Sequence, residues 1–305
     1  MEILCVCPAN CTTGGPEAIH VFTSELNSLP RVNARIWYWN TDGRDPQPDE
    51  YKSYGCKYVT ALPDNYSGVI IFPEIWANKA LEYPQCKRAV WWLGLDAYAG
   101  WTSEAERGKV LEDDSIVHIV QSEYAREFLM LMGVRDIVKC TDYVNADFYE
   151  PYKEIERTNT VLYNPAKATP FMRALISSCP EIEWKPIQGM DRAQVIDAMR
   201  HSKLYVDFGE FPGRERIPRE AVLCGCCLIT SKIGSAGCYQ DFSHGYKFES
   251  KPSHIWAIRR KIHEVLDNYD RCRPDFDTFR WVLSYDRDTF RNRCDEVVRI
   301  LERTS

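Results

Sequence analysis

The sequence predicts an α/β protein with mainly parallel strands in two successive series, followed by a C-terminal helix. Short apolar runs alternate with amphipathic helical stretches along the chain, a pattern that calls for parallel sheets covered on both faces. A charged, proline-bearing stretch at residues 149–153 interrupts the alternation near the middle and suits a linker. With 305 residues and 45% apolar content, the chain can fill two cores of ordinary size. The expected division is residues 1–150, 151–284 and 285–305, the last returning toward the first domain.

In the first series, residues 2–7, 34–39, 68–72, 88–93 and 116–121 read as strands. Residues 16–29 and 123–133 read as helices, because Ile19, Phe22 and Leu26 share one face and Phe128, Leu129 and Met132 another. The second series runs strand 160–163, helix 170–178, strand 183–187 and helix 191–201, with Asp191 as its N-cap. Strand 204–208, a helix opened by Pro218, strand 226–230 and a small-residue loop at 234–237 follow. Phe290, Cys294, Val297, Val298 and Leu301 recur at helical spacing in the final helix, 285–303. Two α/β units in tandem imply a cleft between them, a favoured place for ligands.

A net charge of −6 argues against sequence-independent attraction to nucleic acid, although a local basic groove remains open. Thirteen cysteines in a chain that opens MEILCVCPAN, with neither a basic n-region nor an apolar h-region, read as reduced thiols in a cytoplasm. Cys5, Cys7 and Cys11, and Cys224, Cys226 and Cys227, lack zinc-ligand spacing, so no metal is expected. No run approaches the ~20 apolar residues that span a bilayer, leaving only peripheral membrane association.

The segment KLYVDFGEFPGRERIPREAVLCGCCLITSKIGSAG, from Lys203 to Gly237, carries most of the functional signal. Backbone N–H groups at a helix opening beside a strand end can hold phosphate. Arg214, Glu215, Arg216, Arg219 and Glu220 add cations for a diphosphate and carboxylates for sugar hydroxyls. This points to a nucleotide-sugar site, while the competing reading is a set of charges that solvates the top of a sheet. His20 can hydrogen-bond hydroxyls or move a proton, or simply pack with a backbone partner. Asp96, in WWLGLDAY, is the candidate to contact or deprotonate an acceptor hydroxyl, or else caps a helix. Gly234, Ser235, Ala236 and Gly237 can admit phosphate or acceptor, or serve as a flexible connection. Trp76, Trp91, Trp92 and Trp101 suggest sugar-stacking surfaces, or core.

Several segments in order, TTGGPEAIHVFTSEL, PEIWANKA, VWWLGLDAY, QSEYAREFL, VLYNPAKATPF and DFGEFPGRERIPREAVLCGCCLIT, resemble the GT-B family of nucleotide-sugar-dependent glycosyltransferases, especially its retaining branch. The resemblance covers most of the chain and implies two Rossmann-like domains facing across a cleft. It implies transfer of a sugar from a nucleoside diphosphate donor to a hydroxyl of a glycan or glycolipid, with no cofactor beyond the donor as co-substrate and no metal. By the same resemblance Gly14 and Gly15 lie near the sugar diphosphate, Lys167 sets a positive charge against it, and Glu220 receives the ribose hydroxyls. The first glutamate of the E-x7-E signature falls on Pro212, so Glu215 is the expected substitute for orienting the donor sugar, Glu210 being a more distant candidate, with Arg214 or Arg216 offsetting charge on the departing diphosphate. A catalytically inactive nucleotide- or carbohydrate-binding relative, and transfer to a modified nucleic-acid base, are the alternatives. A dinucleotide-dependent oxidoreductase lacks its G-x-G-x-x-G after the first strand.

Overall fold

The computed structural model describes residues 1–101, 106, 108–149 and 155–303. The chain forms two compact units, Met1–Tyr143 with Asp286–Ser305, and Val144–Tyr285. The first boundary precedes the expected one at residue 150 because Val144 and Phe148 are buried in the second unit's core. Of the expected linker, residues 150–153 lie outside the described residues.

Among the described residues, the first unit holds seven parallel strands: β1 (Glu2–Pro8), β2 (Asn33–Trp39), β3 (Tyr58–Val59), β4 (Val69–Pro73), β5 (Lys87–Trp92), β6 (Ile116–Val120) and β7 (Ile137–Lys139), in the order β3-β2-β1-β4-β5-β6-β7. Its helices are α1 (Gly14–Leu26), α2 (Leu95–Trp101), α3 (Lys109–Glu112) and α4 (Glu123–Leu131). Alternate residues of β1 feed opposite faces: Ile3, Cys5 and Cys7 pack with Phe22 and Trp91, whereas Leu4 and Val6 pack with Phe72 and Trp92. Covering both faces explains why β4 and β6 are buried at every residue.

Helix α1 ends at Leu26, short of the expected residue 29, because the Asn27 side chain bonds both backbone groups of Ala34, at 2.9 and 2.8 Å. Trp91 and Trp92 are core residues. Their indole N–H groups donate to the Cys140 carbonyl at 3.1 Å and to His118 Nδ1 at 3.0 Å. Trp76 is half-buried against Trp39, and the Trp101 side chain lies outside the described residues.

Among the described residues, the second unit holds five parallel strands: β8 (Thr158–Tyr163), β9 (Glu183–Pro186), β10 (Ser202–Asp207), β11 (Cys227–Ser231) and β12 (Lys247–Phe248), in the order β12-β11-β10-β8-β9. Helices α5 (Pro170–Ser178), α6 (Arg192–His201), α7 (Arg216–Leu223), α8 (Ile255–Asp267) and α9 (Tyr269–Cys272) surround it. Asp191 caps α6 in a reciprocal capping box with Gln194, and Thr169 caps α5 through the Met172 N–H. Helix α7 begins at Arg216, so Pro218 lies within its first turn, where a missing N–H breaks no intrahelical bond. Arg157 donates to the carbonyls of Met199, Ser202 and Cys224, drawing three chain segments together.

The last helix, α10 (Asp277–Arg303), starts before the expected residue 285. Phe279 and Leu283 belong to the second unit's core, while Phe290, Cys294, Val297, Val298 and Leu301 belong to the first unit's. Most cysteines are buried in these cores, and burial pushes the thiols of Cys5 and Cys226 up to about 12.

Candidate nucleotide-sugar site

An open parallel sheet binds ligands beyond the carboxyl ends of its strands, at the point where the strand order reverses. In the second unit that point lies between β8 and β10. The chain leaves β8 through a turn at Pro165–Lys167 and leaves β10 through residues 208–215, which lead into α7. The two exits meet: the Lys167 ammonium donates to Glu215 Oε2, and the Thr169 hydroxyl donates to the Phe208 carbonyl at 3.0 Å.

The sequence-predicted residues separate here into two groups. Lys167 and Glu215 pair at the carboxyl edge, and half-buried Arg216 and Glu220 follow on α7. Arg216 opens α7 and Glu220 follows one turn later on the same face. Pairing with Glu215 offsets the Lys167 charge.

Arg214 belongs to the other group, contrary to its expected role at the donor. It is only 3% exposed and reaches inward, with Nε donating to the Asp241 carbonyl at 3.4 Å and lying 3.8 Å from that residue's carboxylate. Arg219 is also buried, and donates to the carbonyls of Arg214 (2.6 Å) and Glu215 (3.1 Å). These two arginines hold the loop that carries Glu215 and Arg216.

The loop at Gly234–Gly237 is a 3-10 turn, not an open phosphate loop at Ser235. The Ser235 N–H donates to the Phe211 carbonyl at 2.9 Å, and its hydroxyl donates to the Gly213 carbonyl. Gly234 has φ +55°, and a Cβ there would fall 2.1 Å from the Phe211 oxygen. No other residue type fits that approach.

In the first unit the strand order reverses between β1 and β4. Gly14 and Gly15 start α1 after β1, with Thr13 at the N-cap position making no side-chain cap bond. A Cβ on Gly15 would meet only Leu93 Cδ1, at 3.9 Å, so the fold's own packing does not demand glycine there.

His20 is completely buried. Its ring nitrogens lie 2.7 Å from the Pro16 carbonyl and 2.6 Å from the Tyr38 hydroxyl. Tyr51 packs beside it with ring centroids 4.6 Å apart, and burial lowers the pKa of the His20 ring below its ordinary value. Both nitrogens are committed inside the protein, which corrects the expectation of an acid–base histidine. Asp96 is exposed in the first turn of α2, where it accepts the Tyr124 hydroxyl at 2.8 Å.

Two buried carboxylates at strand exits escaped the sequence reading. Glu74 follows β4 directly, is 6% exposed and accepts the Leu93 N–H at 3.0 Å. Burial raises it to about 7, against backbone N–H groups of Leu93, Glu74 and Gly94 that favour the charged form. Asp207 ends β10, is 7% exposed, and accepts the Gly209 N–H at 2.8 Å and the Tyr205 hydroxyl at 3.0 Å. Burial likewise raises it to about 6. The available signal was an acid at the end of an apolar run.

No protein-family model matches the chain, and no curated protein matches it. Solved structures do. The Anabaena protein Alr3699/HepE in complex with UDP-glucose is similar with a TM-score of 0.70 at 12% identity, over 98% of this chain and 99% of that one. Sucrose-phosphate synthase from Thermosynechococcus elongatus matches with a TM-score of 0.70 at 13% identity, over 100% of both chains. A UDP-N-acetylglucosamine 2-epimerase is more distant, with a TM-score of 0.54 at 10% identity over 90% of each chain. The chain therefore has the GT-B glycosyltransferase fold. Among the described residues, no helix is long and apolar enough to cross a membrane.

Proposed function

We propose that this protein is a glycosyltransferase that takes a sugar from a nucleoside diphosphate donor and passes it to an acceptor hydroxyl. The observation that carries the reading is the pairing of Lys167 with Glu215 where the second unit's strand order reverses, beside the start of α7, which carries Arg216 and Glu220. Lys167, Arg216 and the amino end of α7 oppose the diphosphate charge, and Glu220 accepts hydrogen bonds from the ribose. Glu215 moves from Lys167 to orient the donor sugar, substituting for the glutamate replaced by Pro212. The donor is a co-substrate in this scheme, and no resident cofactor or metal takes part.

HepE, solved with UDP-glucose, and sucrose-phosphate synthase share the fold and support a nucleotide-sugar donor. In the first unit, Gly15 leaves the start of α1 open to a close approach by a ligand, and exposed Asp96 is the candidate to engage the acceptor hydroxyl. Resemblance to the retaining branch supports retention at the anomeric carbon, with a glycan or glycolipid intermediate as acceptor. Buried thiols fit a cytoplasmic setting, with any membrane contact peripheral.

Pro212 and the Lys167–Glu215 pair favour a second reading, a catalytically inactive relative that binds nucleotide or carbohydrate. The test is a thermal-shift panel of nucleoside diphosphates and nucleotide sugars, followed by an assay of nucleotide release with candidate acceptors. Selective stabilisation by one donor and acceptor-dependent release is the expected result. Stabilisation without turnover selects the inactive relative, and no response to any nucleotide refutes the donor site.

A further inference from the structure

We infer that Asp207 is a positioning residue for the donor, clamping residues 208–215 against the Lys167 turn so that Lys167, Glu215 and the start of α7 meet a diphosphate in one geometry. The inference rests on the donor reading of the second unit.

Asp207 stands at the end of β10, beside β8, where the strand order reverses. One carboxylate oxygen takes the Gly209 N–H at 2.8 Å and the other takes the hydroxyl of Tyr205, itself fully buried. The first bond turns the chain sharply out of the strand, as an aspartate bonded two residues ahead does in a turn. Tyr205 fixes the carboxylate from behind.

Gly209 then passes so close that a Cβ on it would lie 2.9 Å from Asp207 Oδ1 and 3.1 Å from the Lys167 carbonyl oxygen. On its other side, Phe208 accepts the Thr169 hydroxyl. The carboxylate, the glycine and the threonine thus join the exits of both strands. Lys167 and Glu215, which act on Asp207 electrostatically in opposite directions, are carried by those same exits.

A negative charge at this place disfavours an anionic ligand, so the value of Asp207 lies in what its oxygens accept. Asparagine can bond at both places, since its carbonyl still accepts the Gly209 N–H and its amide can donate to the tyrosine oxygen, reversing the sense of that bond. Alanine keeps neither. The geometry therefore separates a hydrogen-bond clamp from a charge effect.

The test uses the full chain as wild type, Asp207→Asn, Asp207→Ala and Gly209→Ala, with UDP, GDP and ADP as probes in calorimetric titrations. Amide exchange across residues 208–216 is measured by mass spectrometry without nucleotide. Losing the clamp should weaken the preferred nucleotide by about tenfold and speed exchange by a similar factor in Asp207→Ala and Gly209→Ala, with Asp207→Asn near wild type. Gly209→Ala keeps the test decisive if Asp207→Ala does not fold. Wild-type behaviour in both alanine variants, or an asparagine variant as weak as alanine, overturns the inference. If wild type binds none of the three nucleotides, the donor reading fails separately, and the exchange measurement still decides whether the carboxylate holds the loop.

Discussion

Glu74→Gln should flatten part of the protein's pH dependence of stability. Burial raises the Glu74 carboxyl from 4.5 to about 7, and the charged form is held only by backbone N–H groups. Because the folded state binds this proton more tightly than the unfolded chain, the stability contribution is full below pH 4.5 and is lost as pH rises through about 7. At ~1.4 kcal/mol per pKa unit, the wild type should lose about 3 kcal/mol over that window. Glutamine cannot titrate, so the difference between the two proteins must change by that amount whatever the substitution costs at a single pH. Urea unfolding of both proteins at steps from pH 4.5 to 7, followed by tryptophan fluorescence, measures it. Parallel stability curves would refute the claim that burial raises the Glu74 carboxyl to about 7.

Lys167→Ala should weaken nucleoside diphosphate binding by about tenfold while sparing uncharged nucleosides, read by calorimetry, since only the diphosphate needs the ammonium. Glu220→Gln should cost about tenfold for ribonucleotides and little for dideoxy analogues, and equal losses for both would remove its ribose role. His20→Ala should destabilise the first unit by about 2–4 kcal/mol in denaturant melts, by leaving a cavity and an unpaired Tyr38 hydroxyl, without altering nucleotide affinity. Asp96→Asn should leave donor affinity unchanged and lower acceptor-dependent turnover by at least about tenfold, and full turnover would end its acceptor role.

What could be read from the sequence was local. The strand and helix alternation, the apolar faces of α1 and α10, and the Asp191 cap all follow from side-chain spacing within one element, which a chain displays before it folds. Segments with a weak local signal did not show: β12 is a two-residue strand, and the end of α1 depends on Asn27 reaching Ala34. At the site, Lys167 and Glu215 were legible as charged residues, but 48 positions separate the partners. Arg214 and Arg216 look alike in sequence. Folding turns Arg214 inward to Asp241 and leaves Arg216 at the opening of α7. His20 looked like a candidate acid–base group until Tyr38, on a neighbouring strand, took its second nitrogen. Glu74 and Asp207 acquire their unusual acidity only through the protein packed around them. Sequence spacing decides which face a side chain occupies, whereas desolvation and the choice of hydrogen-bond partner depend on residues distant in the chain, and those only the tertiary structure brings together.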